Sequence, residues 1–504
     1  MAGRSALILV ENLSVPFDRR VWQESLALRD AGWEVNVICP QGTKRDTEPY
    51  AEIDGIKIYR YPLEPATGGP VGYVKEYGSA LRHTLRLAKK VGPVDVVHAC
   101  NPPDILYVVA NRLKKQYGSR FVFDQHDLVP ELYLSRFNRG KDLLYRGVLR
   151  AERATYAAAD VVIATNESYR EAALTRGGKR PDQVFVVRSA PVVERFHMVP
   201  ADESIKRGKP YLLCYLGVMG PQDGVDYALR ALAKLRDEVG RTDWHAAFVG
   251  AGDTFEQMQE LSRELGLADM VTFTGRIPDE DLLRYLSTAD VCLSPDPLNP
   301  LNDVSTMNKI MEYMAMSRPI VSFELREARV SAGDAALYAP ANDESEFAKL
   351  TSYLLDNPDE RARMGELGRQ RVSGPLSWEV SKAALVAAYE KAVEGKAPAS
   401  GIPAQRRSVG VDADRGRGAG AGVAAPAGAV PAQAAHGAVQ DQHAQVGGGV
   451  GGAHGAPAHQ AHQAAQPQAG FPAGPLEGGQ LPVSAAHPDP SVEMRGDGAG
   501  RLDQ

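Results

Sequence analysis

The chain has 504 residues, 44% of them hydrophobic and 24% charged, with a formal net charge of −6. That balance fits a folded globular protein. It does not point to a nucleic-acid binder, whose domain is usually basic, and no apolar run reaches the ~18–20 residues that a membrane span needs. The length exceeds what one hydrophobic core holds, roughly 250–300 residues, so at least two domains are expected.

Short apolar runs come first at 6–11 (ALILVE), 34–40 (EVNVICP), 56–61 (IKIYRY), 95–100 (DVVHAC), 120–125 (RFVFDQ), 160–165 (DVVIAT) and 184–189 (VFVVRS). A second series lies at 211–217 (YLLCYLG), 245–252 (HAAFVGAG), 271–275 (VTFTG), 290–294 (DVCLS) and 319–324 (PIVSFE). Continuous Val/Ile-rich runs, without period-two alternation, indicate strands buried on both faces, as in parallel sheets covered by helices. Helix-patterned segments separate the runs, so the units are βαβ. The stretch 191–208, rich in proline and charge and lacking periodicity, reads as a linker between a first domain (1–190) and a second (209–376). Residues 377–396 carry apolar residues at helical spacing and read as a closing helix that packs back across the boundary. From 397 to 504 the chain is dominated by Ala, Gly, Pro, Gln and His. Too little apolar surface is available there to offset chain entropy, so a disordered tail is expected. The fold class is therefore α/β, two doubly wound Rossmann-like domains facing a cleft, plus a disordered C-terminal tail.

Cys39, Cys100, Cys214 and Cys292 each sit in a strand-like run, with no C-x-x-C pair. Buried reduced thiols are expected, which fits a reducing compartment. The opening MAGRSALILVENLSV has too short an apolar core for a signal peptide. A cytoplasmic protein is expected, with peripheral contact to the inner face of the cell membrane compatible with the basic helices noted below.

In open α/β sheets ligands bind beyond the carboxyl ends of the strands. After the first strand, Asp18 is a good helix cap, and Asp18, Arg19 and Arg20 fall at the cleft mouth. They read either as a cap with surface charges or as acceptor-contacting groups. His126 and Asp127 follow the strand 120–125, placed to hydrogen-bond a sugar or handle a proton; a satisfied core histidine is the plainer reading. Asp104, in NPPDIL, is expected to cap the next helix. In the second domain Gly217, Gly220 and Gly224 follow one strand, and Gly250 and Gly252 follow another. Such glycines let backbone approach a ligand closely. Gly275 and Arg276 follow a third. The loop after 294 leads to a helix with Lys309 and Glu312 one turn apart. A lysine near a helix N-terminus suits a diphosphate, and a carboxylate one turn on can accept hydrogen bonds from two ribose hydroxyls. The alternative is an ordinary Lys/Glu pair in front of core methionines.

LALRDAGWEV (26–35), YLG (215–217), FVGAG (248–252), VTFTGRIP (271–278), ADVCLSP (289–295) and above all NKIMEYMAMSRPIV (308–321) together resemble the retaining glycosyltransferase family 4, of GT-B architecture. The opening ENLSVPFDRRVWQE (11–24) resembles a subgroup of bacterial surface-polysaccharide glycosyltransferases. The resemblance covers about residues 5–395. It implies a donor site in which Glu312 binds the ribose and Lys309 the diphosphate. Asn308, Gly217, Gly250, Gly252, Arg276 and Ile277 would line the nucleotide pocket. His126 would face the transferred sugar, and His126, Asp18 and Lys309 would carry the chemistry. Asp18, Arg19 and Asp127 would contact the acceptor. Three positions depart from the family pattern: Val304, beside Asp303, stands where a glutamate is frequent, and Val218 and Asp223 stand where an arginine and a lysine are frequent.

The expected reaction moves a sugar from a nucleoside-diphosphate sugar to an acceptor hydroxyl, with retention and with no cofactor or metal required. A lipid-linked or polysaccharide precursor is the expected acceptor, with no nucleic-acid partner. Basic helical patterns at 73–92 and 139–154 suit an anionic membrane surface, although solvated helix faces would show the same pattern. The competing readings are another GT-B enzyme, such as a nucleotide-sugar epimerase or a sugar phosphorylase, and a non-catalytic nucleotide-sugar-binding protein.

Overall fold

The computed structural model describes residues 4–42, 45–63, 69–137, 140–191 and 195–396. The predicted tail, 397–504, lies outside the described residues. The first sheet contains β1 (Ser5–Leu9), β2 (Glu34–Pro40), β3 (Tyr50–Ile53), β4 (Ile56–Tyr61), β5 (Val96–Cys100), β6 (Arg120–Gln125), β7 (Val161–Ala164) and β8 (Val184–Val186), in spatial order β3-β4-β2-β1-β5-β6-β7-β8. The second contains β9 (Tyr211–Leu216), β10 (Trp244–Val249), β11 (Val271–Gly275), β12 (Val291–Ser294), β13 (Ile320–Phe323) and β14 (Ala336–Ala339), in order β11-β10-β9-β12-β13-β14. Every pairing is parallel except β3 with β4. The Val/Ile-rich strands are buried along their length, as in β1, β7, β12 and β13, because helices cover both faces.

Two strands were not foreseen. β3 alternates exposed and half-buried residues at the sheet edge. It is joined to β4 through Asp54 and Gly55, both at positive φ (51° and 78°), the turn that an Asp-Gly hairpin favours. β14 is only four residues long. The N-terminal cap expected of Asp104 does not form. The helix Tyr107–Tyr117 begins at Leu106 without a side-chain cap among the described residues, and the Asp104 carboxyl instead accepts from Asn101 Nδ2 at 3.0 Å.

The order of strands reverses beside β1 and β5 in one sheet and beside β9 and β12 in the other. Crevices open at such points, and the two face each other. The loop leading from β12 to the helix Asn308–Ala315 lies against the first domain. Asn166 Nδ2 donates to Val304 O (2.9 Å) and Thr306 Oγ1 (3.1 Å), Tyr169 OH meets Ser305 Oγ (2.9 Å), and Ser168 Oγ donates to Glu327 Oε1 (2.6 Å). The last described helix, Trp378–Ala392, follows the second domain yet packs in the core of the first. Leu385, Ala388, Tyr389, Ala392 and Val393 join Val21, Leu28, Trp33, Val96, Val122 and Ile163 there.

Candidate functional site

The helix Arg19–Asp30 begins at Asp18, whose carboxylate accepts from Val21 N at 3.1 Å. That cap aims the next two side chains in different directions. Arg20 turns inward onto Asp124 in a two-pronged contact, Nε to Oδ2 at 3.1 Å and Nη2 to Oδ1 at 2.8 Å, and also reaches Val187 O (2.9 Å) and Glu24 (3.0 Å). Arg20 is thus a buried anchor and not a surface charge. Arg19 turns outward across the cleft, to Asp279 at 3.4 Å and Glu312 at 3.9 Å. Arg195, in the linker segment, pairs with the same Asp279 at 2.5 Å. Residues from both domains therefore form one charged cluster at the mouth of the cleft. Neither Arg195 nor Asp279 was singled out from sequence, because nothing local marks two charges 84 residues apart as neighbours.

His126 follows β6. Its Nε2 lies 2.5 Å from Asp124 Oδ2, and its ring is slightly exposed. Burial disfavours a proton on this ring, but the Asp124 carboxylate outweighs burial and raises its pKa above 6.5. Asp127 lies beside it, with its backbone N–H donating to Asn101 Oδ1 at 3.2 Å. Burial raises the Asp127 pKa.

In the second domain, Glu312 sits in the helix Asn308–Ala315, which has no side-chain cap among the described residues. Its first-turn N–H groups therefore have no side-chain acceptor there. Burial raises the Glu312 pKa to about 7, against the pull of Arg19 and Arg195. Lys309 is more enclosed than its family role implies. Its ammonium lies 2.5 Å from the buried Asp296 and 5.3 Å above the Tyr215 ring. Asn308 opens this helix, while Arg276 is exposed and Ile277 half-buried just beyond β11.

The glycines are explained first by close approach of backbone to backbone. A Cβ on Gly250 (φ +135°) would stand 1.8 Å from Gly217 O, and one on Gly252 would stand 2.5 Å from Met219 O. Gly224 is closed in by backbone, whereas Gly220 has its N–H engaged and borders a hollow. Gly220 N donates to Asp223 Oδ2 at 2.9 Å, and a Cβ on Gly224 would meet Pro295 O at 2.1 Å. A hollow of about 460 Å³ opens beside Gly220 and Pro221, between the helices Val225–Asp237 and Phe255–Glu264. Glu312 and His126 do not line it.

With the geometry established, known proteins supply the comparison. Residues 18–189 match the family described as glycosyl transferase 4-like domain, and residues 210–357 match that described as glycosyl transferases group 1. The chain belongs to the family 4-like glycosyltransferases of GT-B architecture. This family 4-like chain is 30% identical over 210 residues to an MMP alpha-(1->4)-mannosyltransferase of Mycolicibacterium hassiacum, covering 40% of this chain and 49% of that protein. Across the first curated relatives the matched stretch spans 49%, 58% and 59% of their length. Among solved structures, sucrose-phosphate synthase from Thermosynechococcus elongatus superposes with a TM-score of 0.63 at 20% identity, over 77% of this chain and 98% of that one. The Anabaena HepE protein in complex with UDP-glucose gives 0.60 at 14% identity, over 76% and 98%. At these identities the structures establish the family 4-like chain's fold alone. Among the described residues no helix is long and apolar enough to cross a membrane.

Proposed function

We propose that this chain transfers a glycosyl group from a nucleoside-diphosphate sugar to an acceptor hydroxyl, with retention of configuration. The observation that carries the proposal is the meeting of Arg19 and Glu312 across the cleft. The Glu312 carboxyl, on an uncapped helix of the second domain, faces the first domain at the point where its helix begins and where His126 stands close enough to Asp18 to feel its charge. A donor lying along that line places its ribose at Glu312, its diphosphate beside the glycine turns and the start of the helix Asn308–Ala315, and its sugar toward His126. The bond from the anomeric carbon to phosphate breaks, the acceptor oxygen bonds to that carbon on the same face, and the acceptor proton passes to the departing phosphate. Positive groups fixed around the diphosphate stabilise the charge that develops there. No cofactor or metal takes part in this scheme. The HepE complex with UDP-glucose supports a nucleotide-sugar donor in the same fold.

A lipid-linked or polysaccharide precursor fits as acceptor. Lys89 and Lys90 are exposed at the end of the helix Gly69–Val91, and Leu143 (81% exposed) and Leu144 project at the start of the helix Leu143–Ala158. Apolar tips with basic neighbours suit an anionic lipid surface at the cytoplasmic face.

Two contacts favour a second reading. Lys309 is committed to Asp296, and Asp223 sets a carboxylate against Gly220 N–H, which suits a protein that binds a nucleotide sugar without turnover. The test is a thermal-shift panel of UDP, GDP, ADP and dTDP with their sugars, on the full chain and on Glu312→Ala. A ligand at ~100 times its dissociation constant adds roughly 2.7 kcal/mol. A shift with one nucleotide series, lost in the variant and accompanied by turnover, supports the transferase. A shift without turnover supports the second reading, and no shift defeats both.

A further inference from the structure

His98 and Cys100 lie two apart on β5, and Cys100 is the register partner of Asp124 on β6. Period-two alternation puts all three side chains on one face of the sheet, where the helices Arg19–Asp30 and Trp378–Ala392 cover them. A metal does not suit this trio (atoms within 4.8 Å). The Asp124 carboxylate already receives Arg20 and His126, and burial raises the Cys100 thiol well above its usual range.

What Asp124 and His98 do form, with His126 and Tyr389, is a line of close polar contacts, hydrogen-bonded at its two ends. His126 Nε2 lies 2.5 Å from Asp124 Oδ2 and His98 Nδ1 lies 2.8 Å from Tyr389 OH, while His98 Nε2 stands 3.4 Å from the same Asp124 oxygen and 3.7 Å from Glu24 Oε2, without hydrogen-bond geometry to either. The proton positions follow from the partners. Burial lowers the His98 pKa, so the ring is neutral and carries one N–H. Asp124 is held ionised by Arg20 and His126 against its burial. A carboxylate only accepts and its charge favours an N–H pointing toward it over a lone pair, which assigns the His98 N–H to Nε2, 3.4 Å from Asp124, and leaves Nδ1 to accept from Tyr389 O–H. By the same logic His126 donates Nε2–H to Asp124, which leaves its Nδ1 as the nitrogen free to face the cleft.

We propose that Asp124, backed by His98 and Tyr389, is the positioning relay of His126, fixing which ring nitrogen faces the cleft and how strongly that ring holds its proton. The relay rests on the reading of His126 as the group that faces the transferred sugar. It brings a helix that trails the second domain into the site of the first. The other groups packed against Asp124 are Cys100 on β5, whose Sγ–H donates to Oδ2 at 4.0 Å, and Arg20 and Glu24 from the helix Arg19–Asp30, with Asp18 beyond them. Burial and the Asp124 charge raise the Glu24 pKa while Arg20, 3.0 Å away, opposes them, and Glu24 also stands 3.7 Å from His98 Nε2.

The relay predicts opposite shifts. Asp124→Asn removes the charge that holds the His126 proton. Tyr389→Phe frees His98 to take the Nδ1–H tautomer, which turns the N–H dipole away from Asp124 and leaves more of that charge to His126. The full chain is titrated by NMR at the histidine Cε1–H resonances, with His126 assigned by its loss in His126→Gln. The His126 midpoint is expected to fall by about one unit or more in Asp124→Asn and to rise by a few tenths in Tyr389→Phe and His98→Leu. His98→Gln, which keeps an N–H donor, stays near the parent. Where donor-dependent turnover is present, the acid limb of kcat moves with the midpoint while KM for the donor changes less than about threefold. Midpoints that do not move, or that all move the same way, overturn the relay. If Asp124→Asn does not fold, the rise in Tyr389→Phe and His98→Leu decides alone. The titration needs no activity, so absence of turnover would defeat the transferase reading and leave the relay to be judged on its own result.

Discussion

Glu312 offers the sharpest test of the donor site, because its environment sets both its charge and its task. Burial raises its pKa to about 7, while Arg19 and Arg195 favour the carboxylate. A carboxylate can accept two ribose hydroxyls at once, whereas the protonated acid loses part of that capacity. About nine tenths of the groups are ionised at pH 8 and about one tenth at pH 6, so donor affinity should fall about tenfold, roughly 1.4 kcal/mol, between those values. Glu312→Gln keeps the shape but loses the charge, and a hydrogen bond to a charged group contributes about 1.5–3 kcal/mol. This variant should bind about ten- to a hundredfold more weakly at pH 8 and show no slope with pH. Arg19→Ala, by removing the nearest cation, should move the midpoint above 7. Titration calorimetry with a nucleotide sugar suits the purpose, because its diphosphate diester does not titrate in this window. A flat profile in the parent protein, or an undiminished slope in Glu312→Gln, would refute the assignment of this carboxylate to the ribose.

Gly250→Ala should cost more than about 3 kcal/mol, because the new Cβ would stand 1.8 Å from Gly217 O at a φ of +135°; a calorimetric melt should fall by roughly 6–12 °C, and an unchanged melt would contradict the close approach. Asp104 and Glu11 are raised by burial to about 8, above their unfolded values, so the stability they contribute is full below about pH 4 and is lost as pH rises through 8. The melting temperature at pH 8.5 should accordingly lie below that at pH 5.5, with the gap narrowed by a few degrees in Asp104→Asn. Replacing Lys89 and Lys90 by Glu should reduce pelleting with anionic liposomes, and unchanged pelleting would count against a membrane-facing role for that helix.

The doubly wound architecture was legible because strands buried on both faces leave continuous Val/Ile runs. β3 escaped notice because an edge strand with one wet face alternates, and its Asp54-Gly55 turn was the signal that could have found it. The candidate residues were legible where they share a single helix, as Lys309 and Glu312 do one turn apart. They were not legible where partners come together only through the fold. Asp124 lay in plain view within RFVFDQ, and a carboxylate inside an aromatic-rich buried strand is itself a sign of a hidden partner. That partner, Arg20, is 104 residues away, and Tyr389 is 291 residues from His98. Gly220 and Gly224 show a related ambiguity. A glycine marks a close approach without saying whether ligand or protein makes it, and here Asp223 and Pro295 make it.

The placement of the helix Trp378–Ala392 also bears on how the molecule is made. The first domain emerges from the ribosome lacking Tyr389 and its neighbours, so the hollow against Trp33 and Val96 stays open. It can close only after the whole second domain has been synthesised, about 200 residues and roughly 10–40 s later. During that interval an apolar surface waits uncovered on the nascent chain, and the half made first is the half completed last.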